Sequence, residues 1–85
     1  MVKIKCKTYN IKSSTEMRDS GIYDAKLDIL SDNPPGTIIA TITQPLIFDG
    51  YETAGIFSSI YNNILYLGCL QPEWDMMVNI YWFYI

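Results

Sequence analysis

Asp49-Gly50-Tyr51-Glu52-Thr53-Ala54-Gly55-Ile56-Phe57-Ser58-Ser59-Ile60-Tyr61-Asn62-Asn63 is the stretch on which the fold class turns. Asp49 with Glu52 three residues on has the form of a capping box, in which an N-cap oxygen accepts from a free amide and the glutamate reaches back. Ala54, Phe57, Ile60, Tyr61 and Ile64 then recur at helical spacing, so a helix over 50–62 is predicted, with Asn62-Asn63 as its stop. Gly55 and the Ser58-Ser59 pair weaken that helix, and Ile56 falls off its stripe. Read instead as a strand through Ile56 and Phe57, the same residues make the protein all-β.

Upstream of this stretch the period is two. Residues 2–8 alternate, with Val2, Ile4, Cys6 and Thr8 on one face and Lys3, Lys5 and Lys7 on the other; residues 22–30 place Tyr23, Ala25, Leu27 and Ile29 opposite Asp24, Lys26 and Asp28. Matching the apolar faces of these two strands predicts an antiparallel pair with Cys6 against Ala25, Ile4 against Leu27 and Val2 against Ile29. The lysines then form a solvated outer stripe, with Lys7 near Asp24 and Lys3 near Asp28. Asn33-Pro34-Pro35-Gly36 removes two ladder donors and supplies a residue tolerant of positive φ, so a hairpin turn is predicted, leading into a third strand, Thr37 to Thr43, that ends at Pro45.

Downstream, Ile64–Leu70 and Met76–Ile85 flank the compact segment Gln71-Pro72-Glu73-Trp74-Asp75, which predicts a second hairpin. Asn79 breaks the symmetry of the last strand. It assigns Met76, Val78, Ile80, Trp82 and Tyr84 to the core and Met77, Asn79, Tyr81, Phe83 and Ile85 to a less buried side. Six apolar residues in a row, Ile80 to Ile85, cannot all face one core layer, so some further layer or partner is needed to cover the other side. The expected fold is therefore α+β in a small single domain, 1–85: an N-terminal three-strand antiparallel meander, one helix and a C-terminal β-hairpin, with an all-β sandwich or barrel as the alternative.

The size of the chain makes such cover matter. From its 9.8 kDa, folding removes roughly 9,000 Å² from water, of which ~5,000 Å² is apolar. At about 25 cal/mol per Å² this contributes on the order of 130 kcal/mol, level with the ~130 kcal/mol of conformational entropy lost. Two cysteines 63 residues apart match no metal knuckle, and both Cys6 and Cys69 read as buried reduced thiols. The N-terminus reads straight into a strand and no apolar run approaches the ~18 residues of a membrane span, so a cytoplasmic protein is expected, in the host cell if its source is viral, with no membrane partner.

Catalysis is disfavoured because the chain has no histidine and no phosphate-cradling glycine loop. Neither an enzyme, a cofactor nor a metal site is expected. All six basic residues fall within the first 26 positions, while residues 31–85 carry five acids and no base. Direct nucleic-acid binding is therefore not expected. The composition resembles that of toxin-immunity proteins and of small phage proteins directed against host defence, a resemblance of size and charge with no shared motif. It implies a stoichiometric inhibitor that blocks a larger protein with a basic surface, through Glu73, Trp74, Asp75, Tyr81 and Phe83. The alternative is a self-assembling structural subunit, such as a homodimer or virion component; a weaker one is a small-molecule pocket of Tyr51, Tyr61, Trp74 and Trp82.

Overall fold

The computed structural model describes residues 1–13, 21–49, 57–70 and 74–85, residues 47–49 by their backbone. Among them the chain forms six strands and one 3-10 turn: β1 (Lys3–Lys12), β2 (Tyr23–Asp28), the turn Leu30–Asp32, β3 (Ile38–Asp49), β4 (Phe57–Tyr61), β5 (Ile64–Cys69) and β6 (Asp75–Tyr84). These make two three-stranded antiparallel sheets, in the orders β1-β6-β3 and β2-β5-β4, with no closed barrel. No α-helix occurs among the described residues, and the α+β expectation is corrected to a nearly all-β fold.

The correction has a local cause. Phe57, Ile60, Tyr61 and Ile64, which match helical spacing, lie on the two arms of a hairpin that pairs Tyr61 with Ile64 and runs back to Phe57 opposite Gly68. Asn62 and Asn63 both have positive φ, 50° and 63°. That is the signature of a two-residue type I′ turn, whose twist suits a hairpin and which asparagine tolerates better than most residues. A two-residue turn between apolar arms thus imitates the three- and four-residue steps of a helix face. The first part of the predicted helix, 50–56, lies outside the described residues.

β6 and β5 are the centre strands, and their inner faces make the core. Met76, Val78, Ile80 and Trp82 of β6 meet Leu65, Leu67 and Cys69 of β5, with Ile29 and Trp74 completing one buried cluster. The side of β6 assigned from Asn79 is the side observed, except that Tyr84 is half-buried. β2 also keeps its expected faces, with Tyr23, Ala25 and Leu27 packed against the core.

Pairing between strands departs from expectation. β1 lies against β6, with Ile4 opposite Phe83 and Cys6 opposite Tyr81 in place of Leu27 and Ala25. β3 lies on the other side of β6, so the N-terminal meander does not form. β5 and β6 belong to different sheets, so no C-terminal hairpin forms either; the connection 71–73 lies outside the described residues. Turn residues mark where a chain reverses, but the strand it then meets is chosen by burial over long separations.

Asn33-Pro34-Pro35-Gly36 is accordingly a crossing from one sheet to the other, not a hairpin. Gly36 is fixed there by geometry: its φ is +99°, and a Cβ would stand 2.3 Å from the carbonyl oxygen of Ile85. Next to it, Thr37 and Ile85 exchange both backbone hydrogen bonds, at 2.9 and 3.0 Å, and so lock the start of β3 onto the end of β6. Gly36→Ala should therefore lower the unfolding free energy by about 1–3 kcal/mol. Ile80→Ala, which empties the core centre, should cost ~2–5 kcal/mol. Urea midpoints measure both, and an unchanged midpoint for Gly36→Ala would remove the close approach as a constraint.

Candidate functional site

β1 carries the largest departure from the alternation read in its sequence. The expected apolar face of residues 2–8 points outward, and the lysine face points to the interior side of the sheet. In an antiparallel ladder directly opposed residues share a face. Lys5, Lys7, Tyr9 and Ile11 oppose Trp82, Ile80, Val78 and Met76, all core residues. Tyr9 and Ile11 fix this choice, because they pack against the core and have the same parity as the lysines. Ile4 is 63% exposed and Cys6 is exposed, which corrects the expectation that both are buried.

The inward lysines are stabilised at the open flank of the core. Lys7 Nζ donates to Asp32 Oδ1 at 2.8 Å, Tyr9 OH donates to Asp32 Oδ2 at 2.6 Å, and Lys5 Nζ donates to the backbone carbonyl of Asp32. Lys5 also sits over the Trp82 ring, 5.3 Å from its centroid, as the ring quadrupole favours. Asp32 comes from the 3-10 turn after β2, so this cluster ties the first sheet to the second. The Lys7 and Tyr9 hydrogen bonds hold the Asp32 carboxyl below its ordinary value of 3.8. Burial, then the bond to Asp32, pushes the Tyr9 phenol above its ordinary 10.0. On the opposite flank Thr43 Oγ1 and Ser58 Oγ, 2.5 Å apart, join β3 to β4.

What this inversion leaves outside is the candidate site. Three rows cross the outer face of β1-β6-β3: Ile4, Phe83 and Ala40; Cys6, Tyr81 and Ile42; Thr8, Asn79 and Gln44. Asn10 and Met77 follow, and the face ends at Lys12 and Asp75, whose charged atoms are 4.0 Å apart. No described residue between that pair and Ile4 carries a charge on this face. A hydrogen-bonded row runs across it: Thr8 Oγ1 donates to Asn79 Oδ1 at 2.5 Å, Asn79 Nδ2 to Tyr81 OH at 3.4 Å, and Tyr81 OH to Gln44 Oε1 at 3.1 Å. Beside the row lies an open depression of about 410 Å³ lined by Ile42, Thr43, Gln44, Tyr81 and Phe83. No layer of the described chain covers this side.

The outer face of the second sheet is of another kind. Asp24, Lys26 and Asp28 line it beside Tyr66 and Ile64, as expected for a solvated surface. Phe57 lies over Gly68 there, where a Cβ would come within 2.2 Å of its ring. A glycine in mid-strand thus lets an aromatic ring lie flat on the sheet.

Of the residues expected to contact a partner, Tyr81 and Phe83 lie on the uncharged face, half-buried by their neighbours. Glu73 lies outside the described residues. Asp75 is engaged with Lys12. Trp74 is 1% exposed, its indole N–H donating to the Tyr23 carbonyl at 2.8 Å, and its backbone exchanges bonds with Ser13. It is a core residue that closes one end of the interior, which corrects its place among the contacts. Its polar neighbours in sequence gave no sign of this. The residues missed by sequence reasoning are Ile4, Ile42 and Gln44, whose alternation was legible but whose face was assigned inward or left unassigned.

Among the described residues the expected small-molecule pocket does not assemble. Trp74 and Trp82 are in the core, Tyr61 is exposed on the outer face of the second sheet, and Tyr51 lies outside the described residues. Cys6 and Cys69 lie on different sheets with no disulfide between them. Among the described residues no three His, Cys, Asp or Glu side chains gather as metal ligands would, and no helix is long and apolar enough to cross a membrane. Compared with protein-family models, curated proteins and solved structures, the chain matches none.

Two measurements check this geometry. Trp74→Ala should cost about 3–5 kcal/mol of folding free energy. For Asp32, whose carboxyl is more acidic folded than unfolded, the stabilisation is present above the unfolded value and fades as pH falls through the folded one. The stability gap between the wild type and Asp32→Asn should be constant from pH 7 down to the ordinary value of 3.8 and close below it. A gap independent of pH in acid would show that the carboxylate is not held by Lys7 and Tyr9.

Proposed function

We propose that this chain is a non-catalytic module that binds another protein through the outer face of β1-β6-β3. One observation supports the reading above the rest: Ile4 and Ile42, 63% and 51% exposed, flank Phe83 and Tyr81 on a sheet face that, among the described residues, has no covering layer and no charge in its central rows. Fully burying an isoleucine is worth ~1.5–3 kcal/mol, so each of these half-exposed side chains would contribute about 1–2 kcal/mol when a partner covers it. Aromatic side chains beside them add rigid contact area at low entropic cost. In a small domain with little net stability, that gain also stabilises the fold.

Binding of this kind serves either to block a larger protein or to build an assembly. The blocking form, aimed at a basic target, drew on an acidic aromatic loop at 73–75. With Trp74 in the core and Asp75 against Lys12, that loop offers no exposed tryptophan to anchor a contact. The assembly form draws on a neutral apolar face, and it is the form favoured here.

Ile42→Lys places a charge in the middle of the face, and Ser59→Lys places one on the exposed outer side of the second sheet. Neither should change the urea midpoint by more than ~0.5 kcal/mol equivalent, as for surface substitutions generally. Native mass measurement of complexes carried by the tagged chain should show them lost with Ile42→Lys and kept with Ser59→Lys. Equal behaviour of the two variants would remove this face as the binding surface.

A further inference from the structure

We infer that the protein covering this face is a second copy of the same chain, stacked sheet on sheet; the inference rests on the binding role proposed above. The chemistry of the face selects among occupants. A basic protein would need carboxylates to read, and the central rows have none. An anionic lipid surface would need several cations around the apolar patch, whereas Lys5 and Lys7 turn to the interior side and engage Asp32, and Lys12, the described cation on this face, stands at its far end beside Asp75. A second copy needs a face compatible with itself. An uncharged surface brings no like charges together on stacking. The row from Thr8 to Gln44 contains both donors and acceptors, so a two-fold axis can set it against itself with partners of either kind.

Size decides how tight such a pair would be. Four uncharged rows at two residues per row, across three strands, span roughly 26 × 14 Å, or about 370 Å² of flat face per copy. Two stacked faces exclude at least ~750 Å², and more with side-chain relief, which is the small, transient class of interface below about 1,200 Å². A weak pair is expected, dissociating on the order of 100 µM, with little dependence on salt because no ion pair is formed. The edges of the sheet are poor alternatives. β1 presents inward-pointing lysines and β3 is interrupted by Pro45, and both features discourage strand addition.

Cys6 lies on this face and Cys69 is buried, so the exposed thiol reports on cover without any substitution. The full-length chain is measured by sedimentation velocity from 5 to about 500 µM at low and high salt, and Cys6 alkylation by excess iodoacetamide is timed across the same range. The expected result is a monomer–dimer equilibrium, unmoved by salt and abolished by Ile42→Lys, with alkylation slowed at least twofold at the highest concentration. A dimer that leaves Cys6 alkylation unchanged overturns this stacking. A monomer throughout overturns the second copy; if Ile42→Lys still abolishes capture of some other protein, the face keeps its binding role, and if it does not, both readings fall.

Discussion

The structure depends on the period of two in β6. Met76, Val78, Ile80 and Trp82 supply about half of the buried core from one strand, and the strand is central, with hydrogen-bonded neighbours on both sides. Placing those four inward forces Met77, Asn79, Tyr81 and Phe83 outward, since a strand has no third direction. The second sheet has only one face to give, and it is spent on the first set. Among the described residues, an apolar run longer than one core can use therefore becomes a surface by stereochemistry, before any selection for binding is considered.

The rest of the fold is arranged to close the interior of a two-layer chain at its sides. Polar bonds do this at each flank. Asp32 gathers Lys7, Tyr9 and Lys5 where β1 overhangs the gap, and Thr43 meets Ser58 where β3 approaches β4. Trp74 fills an end, its one donor satisfied by the Tyr23 carbonyl. Each device joins an element of one sheet to an element or connection of the other. This suits a small domain, where exposed flanks are a large share of the whole and an open seam would admit water to the core.

How much of this was legible follows from which signals are local. The faces of β2 and β6 were, because a charge or an asparagine marked one side of each. The Asn62-Asn63 turn was legible in principle: two asparagines between apolar arms are a hairpin signal, but the capping-box pattern at Asp49 and Glu52 and the chance spacing of Phe57, Ile60, Tyr61 and Ile64 outweighed it. Strand order was not legible. β1 and β6 meet across nearly the full chain, and no short-range feature distinguishes that pairing from β1 with β2. Trp74 was hidden by its polar neighbours in sequence, and the candidate face by the wrong parity of β1.

That parity connects the interior with the surface. Over residues 2–8 the lysines look like the outer set, and only Tyr9 and Ile11, further along the same strand, reverse the assignment. Had the strand followed its first seven residues, Lys3, Lys5 and Lys7 would stand beside Phe83 and Tyr81, and the outer face would be a basic, hydrated surface. For Lys5 and Lys7 the inward turn costs little, because they stand opposite Trp82 and Ile80 with long aliphatic stems while their ammonium groups reach Asp32 at the rim. The same turn removes every charge from the central rows outside. Asp32 thus helps to set the character of a face it does not touch: by receiving the lysines on one side of the sheet, it leaves the other side neutral and apolar.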